Sequence, residues 1–240
     1  MGKEEKMRER IVGFVVAGAL ALSLVLSSTP ARAQLSLGVA GGYYSPNFGW
    51  INDYYFDSFN NWRGTHFKFK PAIMYGLALG YDITPHFRLR LEYTSFKSET
   101  SDDFWDYSAL PWATYYDSDV KLTVTPVILS GTYRFSPFYI GGGVGSFSTE
   151  FKDAYVYEDY LDETLIKRGS RSYSANDTPL GVLFLGGFEY SGQGFSGTLE
   201  ARYVVAEADL KDWLQDAKAD LGGFQVCAGI LVPLWTRKSG

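Results

Sequence analysis

Arg88, Arg90 and Glu92 stand two residues apart in one stretch of the chain and Glu200 and Arg202 in another, while Arg134 and Glu189 sit in similar stretches elsewhere. In an extended chain, residues two apart point to the same side. These seven charges therefore fall on one set of strand faces, and Leu89, Leu91, Leu199 and Tyr203 fall on the other. Guanidinium and carboxylate groups form paired, charge-assisted hydrogen bonds, and charges that leave water without such partners are costly. The chemistry favoured by these spacings is an interior ion-pair network that fills space and fixes strand register. A sharper alternative is a path in which pairs exchange partners and let an ion or small solute through.

Other candidate groups are fewer. His66 and His86 are the two histidines, and Ser118 lies between Asp117 and Asp119. A hydroxyl nucleophile needs a neighbouring base, and one histidine among many hydroxyls singles out no catalytic residue. Asp102, Asp103, Asp106, Asp153, Glu158, Asp159, Asp162 and Glu163 form acidic groups. Hard cations favour such oxygen ligands, but no calcium-loop spacing is present, so neither a metal site nor a cofactor is expected. The aromatic residues are more telling. Trp50, Tyr54, Tyr55, Phe56 and Trp62 crowd one polar segment, and Trp105 and Trp112 stand in a second. Exposed aromatic clusters mark binding surfaces, here for an external ligand of unknown identity, or rings packed on lipid or on other loops.

The elements that hold these residues read as eight short strands. One face of Tyr75, Leu77, Leu79 and Tyr81 is large and lipophilic, and the alternate face of Gly76, Ala78, Gly80 and Asp82 is nearly bare. Phe138, Ile140 and Val144 stand likewise against Gly141, Gly143 and Gly145, and Leu35, Leu37, Val39 and Tyr43 against Ser36, Gly38, Ala40 and Gly42. Glycine weakens a strand, so this many on one face need a steric reason. The narrow interior of an eight-stranded barrel supplies one. Further strands are expected near residues 87–94, 120–135, 178–190, 195–205 and 221–234, with a bulge or register change at Pro126. Short connections fall at Thr84-Pro85-His86, Ser136-Pro137 and Ser191-Gly192-Gln193-Gly194. Long ones are expected over residues 45–69, 97–119, 150–177 and 206–220. Tyr43, Tyr44, Tyr81, Tyr93, Tyr133, Phe135, Phe138, Tyr190 and Tyr203 gather near strand ends like the aromatic girdles of a membrane protein.

The first segment supports export. Lys3, Lys6, Arg8 and Arg10 precede an apolar run over residues 11–26, and Ala31-Arg32-Ala33 follows. That layout is a signal peptide, residues 1–33, cleaved after Ala33 to leave a barrel domain over residues 34–240. Cleavage removes five basic and three acidic residues, so the remainder is more acidic than the whole chain's net charge of −5. Such a chain lacks the basic footprint that nucleic acid requires. With Cys227 as the one cysteine, no internal disulfide can form, and a closed hydrogen-bonded ladder is expected to hold the fold instead.

The stretches Leu-Gly-Val-Ala-Gly-Gly-Tyr at 37–43, Gly-Leu-Ala-Leu-Gly-Tyr at 76–81, Phe-Arg-Leu-Arg-Leu-Glu-Tyr at 87–93, Thr-Tyr-Arg-Phe at 132–135 and Pro-Phe-Tyr-Ile-Gly-Gly-Gly-Val-Gly at 137–145 resemble the small eight-stranded outer-membrane β-barrels of the OmpA/OmpX type. The resemblance spans residues 34–240 and implies an all-β, eight-stranded antiparallel up-and-down transmembrane barrel with long extracellular loops and short periplasmic turns. It departs at the end, where the chain runs past Trp235 through residues 236–240, so the residues of the assembly signal near Trp235 stay open. Implied partners are outer-membrane lipid, lipopolysaccharide and the outer-membrane assembly machinery of a Gram-negative-type bacterium. The expected role is non-enzymatic: a barrel with a filled lumen serving envelope integrity or surface contact. A narrow porin-like channel is the alternative. A lipid A-modifying enzyme built on His66, Ser118 and a neighbouring aspartate is the third reading.

Overall fold

Alternation of large and small residues along extended segments yields ten strands and no helix among the residues that the computed structural model describes, 34–47, 70–109, 111–210 and 218–235. They are β1 (Gln34–Pro46), β2 (Ala72–Asp82), β3 (Phe87–Ala109), β4 (Trp112–Phe135) and β5 (Phe138–Leu161), followed by β6 (Thr164–Asp177), β7 (Leu180–Ser191), β8 (Ser196–Asp209), β9 (Lys218–Asp220) and β10 (Gly223–Trp235). Eight of them close a ring. The antiparallel order β1-β2-β3-β4-β5-β7-β8-β10 returns from β10 to β1, so no edge is left at this level.

Side-chain direction follows the pleat. Leu77, Leu91, Ile140, Phe184, Leu199 and Ile230 stand on the outer surface, each 45–60% exposed. The inward series carries glycines packed against neighbouring backbone. A Cβ on Gly76 would lie 2.1 Å from the Tyr93 carbonyl oxygen, and one on Gly141 would lie 2.3 Å from that of Gly131. The small face thus lets the strands curl tightly around a narrow interior. Two aromatics depart from the expected girdle. Tyr44 occupies an inward position on β1 and is fully buried, whereas Tyr81 is 4% exposed between its cross-strand neighbours Leu35 and Leu89.

The ring is not of even height. β3, β4 and β5 continue far beyond it, paired out to Ala109↔Trp112 and Trp112↔Leu161. β6 adds a fourth strand beside β5 from Thr149↔Asp177 to Leu161↔Thr164, and β7 takes over the pairing with β5 below. One half of the barrel therefore rises as a four-stranded wall on the side of the long connections. The segments expected as loops over residues 97–119 and 150–177 are largely strand. Their hydrophobic periodicity is weak because both faces of the wall carry polar residues, and the hydrogen-bond ladder of the ring carries the pairing upward. Similarly, the connection expected over residues 206–220 holds the end of β8 and the short β9. The expected bulge at Pro126 is absent. Val127↔Tyr93 and Val124↔Phe96 keep one register, and only the ladder between them is interrupted on the β3 side, where the missing amide falls.

Candidate functional site

The inward charges form two tiers near the short-turn end. In the lower tier Arg88 donates from Nε to Asp82 Oδ1 at 2.6 Å and from a terminal nitrogen to Glu189 at 3.1 Å. Arg134 lies 3.1 Å from Asp82 and 3.9 Å from Glu189. In the tier above, Arg202 forks onto Glu92 at 2.7 and 3.1 Å and also donates to Glu200 at 2.7 Å. Arg90 pairs with both Glu200 and Glu92. The Tyr139 hydroxyl donates to Glu200 at 2.5 Å. Each tier holds two arginines and two carboxylates, so each balances its own charge. The bidentate geometry of Arg202 and Arg90 suits the planar guanidinium.

All seven charges named from the sequence lie in these tiers. Asp82 and Tyr139 complete them and were not among the seven. Alternation could have found both, since Asp82 continues the bare face of β2 and Tyr139 lies between the outward Phe138 and Ile140. Gly187 makes room for the Tyr139 ring, because a Cβ there would lie 2.7 Å from its Cζ and hydroxyl oxygen.

Above the charges the lumen turns apolar. Tyr44, Met74, Phe96, Phe147, Leu183 and Val204 are each at most 2% exposed, with Tyr44 and Phe96 edge to face at 4.9 Å. Sequence reading missed this tier because its members sit at the outer ends of inward series that begin with glycine or charge. The cavity beside Arg90, Glu92, Glu200 and Arg202 has a volume of about 10 Å³, room for no more than one water.

The wall carries the second group of candidates. On its outer face Trp105 meets Tyr115 at 5.1 Å, Tyr160 at 5.3 Å and Tyr107 at 5.9 Å, and Trp112 stands exposed at the hairpin tip. On the face that continues the lumen, Tyr116, Tyr155 and Tyr173 form a ladder with spacings of 5.8 and 6.1 Å. Lys167 and Arg171 lie 5.5 and 5.9 Å from the Tyr157 ring. Arg171 beside Tyr173 holds that phenol below its usual range, while burial and its hydrogen bond with Tyr173 push Tyr155 up to about 12. Trp50, Tyr54, Tyr55, Phe56 and Trp62 lie outside the described residues, as does His66. Ser118 is buried and donates to Asp153 at 3.2 Å. His86 lies at the opposite end of the barrel, its ring nitrogen 3.1 Å from the Arg134 carbonyl oxygen.

No family model and no curated protein matches the chain. Among solved structures it is similar to the outer membrane protein OprG from Pseudomonas aeruginosa at 13% identity and TM-score 0.40, over 85% of this chain and 97% of that one. Neisserial surface protein A matches at 13% and 0.38 over the same shares. CarO from Acinetobacter baumannii matches at 12% and 0.37, over 86% and 98%. These are eight-stranded outer-membrane barrels of the type that the sequence resembles. The ring of eight rests on the chain's own strand pairing.

Proposed function

We propose that this chain is a non-enzymatic outer-membrane barrel with a sealed lumen, and that its function is surface contact made by the tall wall. The belt of exposed Leu, Ile, Val and Phe around a polar-to-apolar packed interior supports the membrane reading, because such a surface matches hydrocarbon and not water. Lipid and lipopolysaccharide are then its lateral neighbours, and the short turns face the periplasm. The observation that carries the sealed reading is the filled lumen. Two charge-balanced tiers are capped by fully buried aromatic and aliphatic side chains, and the space beside the upper tier is about one water in size. A solute path would have to break bidentate pairs and displace Phe96 and Phe147 together. Wall residues such as Trp105, Trp112, Lys167 and Arg171 are left to meet whatever lies outside.

Single-channel recording on residues 34–240, refolded and reconstituted in a planar bilayer, tests this. Silence is expected from protein whose folding is verified by heat-shifted gel mobility. Steady discrete openings would transfer the function to solute passage and make the charge tiers its selectivity elements.

A further inference from the structure

The wall ends in two strand edges that pair on one side only among the described residues. Above Phe96, β3 pairs with β4 alone, and β6 pairs with β5 alone. Both edges are long and free of proline, unlike the short or interrupted edges by which proteins avoid sheet extension. Their charges are opposite. Above Phe96, β3 carries Glu99, Asp102, Asp103 and Asp106 against the single base Lys97, and β6 carries Lys167, Arg168 and Arg171 against the single acid Asp177 at its lower end. Part of this charge is engaged within the copy: Glu99 lies near Lys97, Asp103 accepts from the Tyr115 hydroxyl at 3.3 Å, Asp106 has partners of its own, and Arg168 lies 3.4 Å from Glu158. The difference in sign between the edges remains.

Direction adds a second constraint. β3 climbs away from the ring and β6 descends toward it. Copies inserted in one membrane share the same upward direction, so β6 of one copy beside β3 of the next is an antiparallel pair. A β3–β3 or β6–β6 contact about an axis normal to the membrane would be parallel and would set like charges together.

We propose that the wall is a self-assembly surface, in which the basic β6 edge of one copy pairs with the acidic β3 edge of a second copy of this chain. The inference rests on the proposed membrane reading and names the partner of the wall. The contact is head to tail, so it propagates into chains or rings instead of stopping at a dimer. Its strength depends on salt, because attraction between exposed charges is screened within about 3 Å at 1 M ionic strength against about 10 Å at 0.1 M.

Two single-cysteine variants test it, Ser101→Cys on β3 and Ser172→Cys on β6. Both serines are exposed and share one cross-strand row through Asp119 and Ala154, while the natural Cys227 is buried in the lumen. The variants are refolded separately and together into bilayers of uniform insertion, and treated with a short thiol-to-thiol cross-linker. Covalent pairs are expected only in the mixture, weakening in 1 M salt. Lys167→Glu with Arg171→Glu in the Ser172→Cys copy should cut the yield about tenfold or more, since like charges juxtaposed at an interface are strongly unfavourable. Asp102→Lys with Asp106→Lys in the Ser101→Cys copy, at the positions that face Arg171 and Lys167 in that row, should restore it. Cross-linking within either variant alone at the mixture's level, or no cross-linking from barrels whose heat-shifted mobility is intact, overturns self-assembly and leaves the sealed barrel standing. A chain that does not insert removes the shared orientation and overturns both readings.

Discussion

At the residue scale the decisive groups are Glu200 and Arg202, which join the upper tier into one unit. Glu200 receives hydrogen bonds from Arg90, Arg202 and Tyr139. Removing one partner of a buried ion pair leaves the others uncompensated, which costs about 3–5 kcal/mol. Glu200→Gln should therefore lower barrel stability by that order in urea unfolding from lipid, followed by tryptophan fluorescence. Glu189→Gln should cost less, because Arg88 and Arg134 both keep Asp82 as a partner and Arg134 is partly exposed near the rim. Equal and negligible effects would remove the network as a source of stability. Glycine provides a paired test. At Gly187 a Cβ would meet the Leu199 carbonyl oxygen at 2.6 Å and the Tyr139 ring at 2.7 Å, whereas at the outward Gly186 the nearest atom is 3.8 Å away. Gly187→Ala should destabilise by about 1–3 kcal/mol, the usual cost of overpacking, while Gly186→Ala stays close to wild type in the same assay.

At the element scale the ring and the wall are separable. The pairings that close the barrel reach up to Phe96 on β3 and lie below Phe147 on β5, and among the described residues the upper halves of β3, β4, β5 and β6 pair only among themselves. Shortening the β3/β4 and β5/β6 hairpins by matched residues above Lys97↔Thr123 and Lys152↔Ser174 should leave heat-shifted mobility intact and abolish the wall's contacts. Loss of folding would show that the wall nucleates the barrel. The same division explains what the sequence disclosed. Ring strands present a lipophilic face and a bare one, so Leu77 against Ala78 and Ile140 against Gly141 announce period two. Wall strands have polar residues on both faces, as in Ser170 and Ser172 against Arg171 on β6, and their pairing is inherited from the ring. The charge tiers were legible because Arg88, Arg90 and Glu92 keep the alternation. The apolar tier was not, since Phe96 and Phe147 lie just before the segments expected as loops from residues 97 and 150, and their inward direction is set only by counting from the ring.

At the scale of the whole molecule, the two ends of the barrel differ, and the difference predicts its orientation in the membrane. One end has three tight connections, including Gly192–Gly194, where Gly194 takes φ of +83° and the Gly192 amide donates to the Phe195 carbonyl oxygen. The other end rises into the wall, tipped at Asp162 and Glu163 by a turn with φ of +46° and +66°, the sign that a two-residue hairpin turn matching strand twist requires. In outer-membrane β-barrels the short turns lie on the periplasmic side, from which the chain enters, and the longer connections lie outside. An exported chain should therefore thread its hairpins outward and leave the turns behind. Asp162→Cys and Gln193→Cys place thiols at opposite ends, both at exposed positions, and a membrane-impermeant maleimide reports which end faces out. On intact cells Asp162→Cys should label at once, and Gln193→Cys only after the envelope is opened. Labelling of both on intact cells would mean that the chain does not span the membrane, and the lipophilic belt would then need another cover. The reverse pattern would invert the barrel, place the wall in the periplasm and redirect its contacts inward.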